Sequence, residues 1–239
     1  MRPGEELLRQ LAAEPERAAL LLDVDGVLAP IVPVPAEAAV PPETRGELER
    51  LRRRYALVAC ISGRAGDDAR RIVGLDGLVV VGEHGLELDP EAPSWRGRLE
   101  AFVAEVDWDD VERKPLTASL HYRRHPDERE ALAVLEPVAE RARAAGLVPR
   151  FGRKVLELRP PLAADKGTAV AHLLRQHGLD RALYAGDDTT DLDAFRALEG
   201  LELGVRVAVA SSEGPPELGE AADLVVEDPA AFLELLRSI

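Results

Sequence analysis

The sequence predicts an α/β fold: a doubly wound, mostly parallel core sheet that carries a small inserted α/β domain. Three observations predict it. Short apolar runs such as Leu20 to Leu22, Leu57 to Ile61 and Leu78 to Val81 lack polar alternation, as strands buried on both faces require. Each run stops at Asp, Ser or Gly, which puts polar groups at the carboxyl ends of strands, where open α/β sheets bind ligands. Between residues 88 and 160 the runs give way to alternating polar and apolar segments, the pattern of antiparallel strands with one exposed face.

The elements follow in order. Residues 5 to 18, with Leu7, Leu8 and Leu11, form an amphipathic helix leading into the strand that ends at Asp23-Val24-Asp25-Gly26. Prolines 30, 33 and 35 then exclude helix and favour an extended loop. Residues 43 to 54 are helical through Leu48 and Leu51, and the strand from Ala56 to Ile61 ends in Ser62-Gly63-Arg64. The strand Leu78 to Val81 is followed by Gly82-Glu83-His84-Gly85.

The inserted domain, residues 88 to 160, is bounded by Asp89-Pro90 and Pro160-Pro161. Its strands are Val111 to Lys114, Thr117 to Arg124, Leu147 to Phe151 and Lys154 to Arg159. A helix from Asp127 to about Ala145 lies between the second and third, with a buried stripe of Leu132, Leu135 and Ala139 and a kink expected at Pro137. Trp95 and Trp108 are expected to pack this domain. The core comprises residues 1 to 87 and 161 to 239. It resumes with a helix capped by Asp165, opened by Lys166-Gly167 and ended by Gly178, with His177 in its last turn. Strands at Leu183 to Ala185, Val205 to Val209 and Leu224 to Val226 complete it, and residues 211 to 216 read as a mobile loop.

Of the 239 residues, 46% are hydrophobic and 31% charged, and the net charge is -14. That charge argues against nucleic acid and anionic membrane as partners. An anionic substrate would need locally placed cations and a metal. Charged residues from Glu5 to Arg17 interrupt any signal-peptide core, and no apolar run approaches the roughly 20 residues of a membrane span. One cysteine, Cys60, allows no internal disulfide, which fits a cytoplasmic protein, and its apolar run makes it a buried, unreactive thiol.

Asp23 and Asp25 stand at i and i+2, so both face one pocket beyond the sheet, and two such acids suit a nucleophile or metal ligand beside an acid/base. The bare alternative is an Asp-Gly turn. Ser62 and Gly63 at a strand-to-helix junction make an anion cradle, or an ordinary serine cap. Asp187 and Asp188 add hard oxygen donors of the kind Mg²⁺ takes, and Lys166 stands in a helix's first turn, where the dipole disfavours a cation.

Taken together, the Asp23-x-Asp25 motif, Ser62-Gly63-Arg64, Lys166-Gly167 and Gly186-Asp187-Asp188-Thr189-Thr190-Asp191 resemble the haloacid-dehalogenase-like phosphohydrolases, whose core is a Rossmann-like sheet. The resemblance implies Asp23 as nucleophile and Asp25 as acid/base. It implies Ser62, Gly63 and Lys166 on the phosphate. Mg²⁺ would be held by Asp23, the Asp25 backbone carbonyl and Asp187, with Asp188 and Asp191 as outer partners. Val111 to Lys114, His121-Tyr122-Arg123 and Gly152 to Pro160 are similar to the lid of the trehalose-6-phosphate phosphatases, as are Asp23 to Ile31, Gly82 to Gly85 and Gly186 to Phe195.

That family closes its lid over the site and reads sugar hydroxyls with acidic and basic side chains. The matching positions are Glu112, Lys114, Arg123 and Glu157, with Arg153 or Lys154 as a further basic group; His84 and His121, which lack metal-ligand spacing, are read either as substrate contacts or as structural residues. Cross-strand ion pairing is the structural alternative for each. Three positions depart from the family pattern: Val27 for threonine, Leu192 for glutamate and Arg153 for lysine. The function implied is hydrolysis of trehalose 6-phosphate, a small-molecule sugar phosphate supplied by a trehalose-6-phosphate synthase of the same pathway. The alternatives are a phosphatase for a sucrose 6-phosphate or mannosyl-3-phosphoglycerate type of ester, and a catalytically silent sugar-phosphate-binding domain.

Overall fold

The computed structural model describes residues 3–152, 154–210 and 214–239. Arg153, and Ser211, Ser212 and Glu213 of the expected mobile loop, lie outside the described residues. The chain divides into two compact units, the first running through Gly85 and resuming at Ala164, the second spanning Leu86–Ala163. The junctions expected at residues 88 and 160 differ from these by only a few positions. No helix among the described residues is long and apolar enough to cross a membrane.

The first unit holds a six-stranded sheet in the order β10-β9-β8-β1-β2-β3, every pair parallel. The strands are β1 (Ala18–Leu22), β2 (Leu57–Ile61), β3 (Val79–Val81), β8 (Arg181–Gly186), β9 (Leu203–Val209) and β10 (Leu224–Val226). Burial on both faces accounts for their near-continuous apolar sequences: every residue of β1, β2 and β8 is buried. Leu20, Leu22, Val58, Cys60, Leu183 and Ala185 join one apolar cluster with Leu8 and Leu11 of α1 (Pro3–Ala13), Leu48 and Leu51 of α2 (Pro42–Leu51), Ile72 of α3 (Gly66–Val73) and Phe232 of α9 (Pro229–Arg237). On the other face, Tyr184 meets Phe195 of α7 (Asp191–Ala197) edge to face, the ring centroids 6.1 Å apart.

The chain builds β1, β2 and β3 outward in one direction and then places β8 on the opposite side of β1. The gap between β1 and β8 is therefore the topological switch point, where this architecture opens a crevice beyond the strand ends. The helix after the insert, α6 (Lys166–His177), begins with a reciprocal capping box between Asp165 and Thr168 and ends at Gly178 in the left-handed conformation.

The second unit is a four-stranded antiparallel sheet, β4-β5-β7-β6, made of Val111–Arg113, Ala118–His121, Val155–Arg159 and Val148–Gly152 in that spatial order. Ala118, Leu120, Leu156 and Leu158 face α4 (Ala92–Ala104) and α5 (Glu128–Ala144). Asp127 caps α5 by accepting from the Arg129 and Glu130 N–H groups, and the helix runs on through Pro137. Helix α4 was not expected, because its apolar residues are interleaved with arginines and it opens on Pro93, which a first turn tolerates. Trp95 and Trp108 pack against this core, Trp108 donating to the His121 carbonyl at 2.9 Å.

Candidate active site

Strand register assembles the site. Leu22 is level with Cys60 of β2 and Ala185 of β8, so Asp23 leaves the sheet one residue before Ser62 on one side and Asp187 on the other. The Asp23 N–H donates to the Ala185 carbonyl at 2.9 Å, which ties the residue to the strand end. Lys166, the first residue of α6, is 3% exposed and reaches both Asp23 Oδ1 at 2.9 Å and Asp191 Oδ1 at 2.7 Å.

Asp191 anchors this arrangement. Its Oδ1 also accepts from the Tyr184 hydroxyl at 2.7 Å, and its Oδ2 accepts from the N–H groups of Asp187 and Asp188 at 3.0 and 2.9 Å. Four donors fill both oxygens. Gly186 leaves room for this packing, since a Cβ there would stand 2.2 Å from the Asp191 carboxyl carbon. Asp23, Asp187 and Asp191 bring one oxygen each to within 4.8 Å of one another, a grouping able to hold a metal ion.

Three buried carboxylates against one ammonium leave a charge of about -2, and the protonation pattern reflects it. Burial raises the Asp23 pKa well above the carboxylate range, against the pull of Lys166, with Asp191 and Asp187 adding repulsion. Asp187 is pushed up to about 7, first by burial and then by Asp191, while a hydrogen bond with the Asp23 carboxyl works the other way. Burial would lower the Lys166 pKa, yet Asp191 and Asp23 together hold it above its ordinary value. Three carboxyls around one ammonium that is already committed to Asp23 and Asp191 leave the excess negative charge that a divalent cation offsets. Within that grouping Asp23 and Asp187 are the better placed to ligate, since each Asp191 oxygen already accepts two donors. Gly26, at φ +77°, brings backbone against the same spot: a Cβ there would lie 2.1 Å from Asp187 Oδ2.

The remaining expected residues fall into two groups. Ser62 is buried, and its Oγ accepts from the Arg64 N–H at 3.1 Å, as a serine closing its own turn does. Its hydroxyl proton is still available to an anion. Gly63 lies against the His84 ring, and a Cβ at residue 63 would stand 2.6 Å from Nε2. His84 itself sits at φ +55° in the bend after β3. The Asp25 carboxylate turns to Arg64, while Asp188 is exposed, accepts from Thr189 Oγ1 at 3.1 Å and stands outside the three-carboxylate group. Val27 is buried in the apolar core, so its methyl groups pack rather than line the crevice. Cys60 is buried, and burial pushes its thiol pKa up.

In the second unit, Glu112, Ser119, Glu157 and Arg150 form one cross-strand row on the face opposite α4 and α5. His121 Nε2 lies 3.1 Å from Glu112 Oε2, and Lys114 Nζ lies 3.8 Å from Glu112 Oε1. Lys154 instead pairs with Glu128 of α5 at 2.7 Å, and Arg123 is an exposed turn residue. The structure thus groups Glu112, Lys114 and Glu157 on one face but not Lys154. Tyr184 and the link from Arg64 to Asp25 were not foreseen. A tyrosine inside an otherwise aliphatic strand beside Gly186-Asp187 was the available signal for the first.

A trehalose-phosphatase family model matches residues 21–229. The chain is 30% identical over 262 residues to trehalose 6-phosphate phosphatase RA3 of Zea mays, covering 95% of this chain and 71% of that protein. Among solved structures it superposes on the trehalose-6-phosphate phosphatase C-terminal domain of C. albicans with a TM-score of 0.71 at 23% identity, over 98% of this chain and 96% of the other. A haloacid dehalogenase-like hydrolase from Bacteroides thetaiotaomicron shares the fold at a TM-score of 0.60 and 15% identity, over 92% of this chain and 98% of that one. The chain belongs to the trehalose-phosphatase family.

Proposed function

We propose that the chain is a Mg²⁺-dependent phosphatase converting trehalose 6-phosphate to trehalose and inorganic phosphate through a phosphoryl group carried on Asp23. The observation that carries the reading is the buried Asp23 carboxyl held at 2.9 Å from Lys166 beside Asp187, at the switch point of the sheet. Asp23 and Asp187, with the Asp25 backbone carbonyl as the family pattern implies, would hold Mg²⁺. When bound, the ion offsets the repulsion between carboxylate and phosphate, about 4 kcal/mol per unit-charge pair at ~4 Å and an effective dielectric of ~20.

The chain's own groups do the rest. An Asp23 oxygen attacks phosphorus, the bond from phosphorus to the sugar oxygen breaks, and the Asp25 carboxyl gives its proton to the departing oxygen. Water then attacks phosphorus and passes a proton to Asp25, and cleavage of the acyl phosphate restores the Asp23 carboxylate. Lys166 offsets the phosphate charge, and the Ser62 hydroxyl and the Gly63 backbone N–H donate to its oxygens. Glu112, Lys114 and Glu157, with Arg123, Arg153, Lys154 and His84 as further candidates, address sugar hydroxyls.

Phosphate release from trehalose 6-phosphate, sucrose 6-phosphate and mannosyl-3-phosphoglycerate, each with Mg²⁺ and with chelator, tests the proposal. We expect trehalose 6-phosphate to be preferred in kcat/KM by at least about 10²-fold, as polar recognition of hydroxyls allows. Preference for another ester would overturn the substrate, and no Mg²⁺-dependent turnover of any would leave only a binding domain.

A further inference from the structure

We propose that Arg64 is a positioning residue that docks the Asp25 carboxylate between proton transfers and sets the orientation from which it reaches the ester oxygen. The inference rests on the acid/base role proposed for Asp25.

The geometry begins with the arginine. Its Nε donates to Asp25 Oδ2 at 2.7 Å and its Nη2 to Asp25 Oδ1 at 2.8 Å, a two-pronged pairing that fixes the plane of the carboxylate as well as its position. The fork is held from behind. Nη1 donates to Asp68 Oδ2 of α3 at 2.8 Å and to the Pro35 carbonyl at 3.1 Å. Backbone contacts add to this: the Arg64 N–H donates to Ser62 Oγ at 3.1 Å, and the Arg64 carbonyl accepts from the Glu83 N–H at 2.7 Å. The arginine is thus anchored to the β2 turn, the β3 turn, α3 and the proline loop before it meets Asp25.

Asp25, by contrast, is held at its backbone and by Arg64 alone among the described residues. The loop it starts folds back, with the Gly26 N–H donating to the Ala29 carbonyl at 2.8 Å, but its side chain has no partner besides Arg64 among the described residues. The Asp25 side chain is 35% exposed and that of Arg64 18%. A mostly buried fork, itself held from behind, therefore sets the orientation of a carboxylate that among the described residues has no other side-chain partner. Both Asp25 oxygens face the guanidinium, so neither can address an ester oxygen until one leaves the fork. Asp68 alone would satisfy an arginine with a purely structural task. The second prong pair, aimed at a residue two positions from Asp23, is what that task leaves over.

The test is the rate of leaving-group release in a single turnover, for trehalose 6-phosphate and for p-nitrophenyl phosphate. The sugar alkoxide needs a proton to depart and p-nitrophenolate does not. We expect Arg64→Ala to slow release from trehalose 6-phosphate about 10²-fold, within the range of acid catalysis, and release of p-nitrophenolate less than about threefold. KM should stay within about threefold, and Arg64→Lys, a point donor in place of a fork, should fall between. Arg64→Ala combined with Asp25→Asn should be no slower than Asp25→Asn alone, because the two residues act as one unit.

Equal losses on both esters, a rise in KM at unchanged rate, or losses that multiply in the double variant would overturn the proposal. Should Arg64→Ala not fold, as its melting would reveal, Arg64→Lys carries the same comparison. Asp25→Asn separates this inference from the reading beneath it. If that variant slows both esters equally, the acid role of Asp25 fails and the inference with it. If it is selective while the Arg64 variants are not, only the role of Arg64 fails.

Discussion

The two polar clusters of this protein are built in opposite ways. Around Asp23 in the first unit, each functional group has a buried partner: Lys166 bridges Asp23 and Asp191, and Asp191 in turn accepts from Tyr184 and from two backbone N–H groups. In the second unit the pairs are looser: Glu112, half exposed, lies 3.1 Å from His121 and 3.8 Å from Lys114, and Glu157 lies 4.0 Å from Arg159. The first cluster is set before any ligand arrives, which suits groups that must address a phosphorus atom within a few tenths of an ångström. The second can re-pair, which suits recognition of a polyol.

If this contrast is right, substitutions in the two clusters should fail differently. The largest effect is expected for Asp191→Ala, which leaves Lys166 and Tyr184 facing an empty acceptor. Breaking a buried pair of this kind costs about 3 to 5 kcal/mol, so denaturant unfolding should register that loss together with near-complete loss of phosphatase activity. A fully stable Asp191→Ala would show that the first cluster is not held as described.

Next comes metal linkage. Asp187, with a pKa of about 7 when metal-free, binds more protons in the folded than in the unfolded chain between about pH 4 and 7. Stability of the metal-free protein should therefore fall as pH rises through that window. Mg²⁺ should raise the melting temperature more at pH 8 than at pH 5, and an equal rise at both would contradict the assignment of Asp187.

Smaller and purely kinetic effects belong to the second unit. Glu157→Gln is expected to lower kcat/KM for trehalose 6-phosphate by about 10- to 100-fold, the worth of one charged hydrogen bond, while leaving p-nitrophenyl phosphate and the unfolding free energy unchanged. Loss on both esters would erase the distinction between the clusters. The smallest effect is Lys154→Ala. Its pair with Glu128 is exposed and worth about 0 to 1 kcal/mol, so the unfolding free energy should stay within that margin of wild type.

The same contrast governs what could be read from sequence. The juxtaposition of Asp23, Lys166 and Asp187 was legible because each follows or opens a regular element at a fixed offset, and parallel strands in register bring those offsets together. Asp191 was read as an outer partner. Its role as anchor depends on four donors, two of them backbone N–H groups that no side-chain pattern announces. The pairing of Arg64 with Asp25 joins residues 39 positions apart, and nothing local to either signals it. On the antiparallel sheet, Glu112 and Glu157 were matched through the resemblance of the lid segments, and only the strand register puts them in one cross-strand row. Lys154, at φ +56° just ahead of β7, pairs with Glu128 of α5 rather than joining that row.

In the proposed reaction Asp23 receives the phosphoryl group. Rapid acid quench of the Mg²⁺-loaded protein turning over trehalose 6-phosphate, followed by borohydride reduction and peptide mass spectrometry, addresses it directly, because reduction converts an aspartyl phosphate to homoserine. We expect homoserine at residue 23 and nowhere else, and none in Asp23→Asn, which should fold but not turn over. Phosphate release that continues with residue 23 unmodified throughout, or with the mark at another carboxylate, would contradict the account.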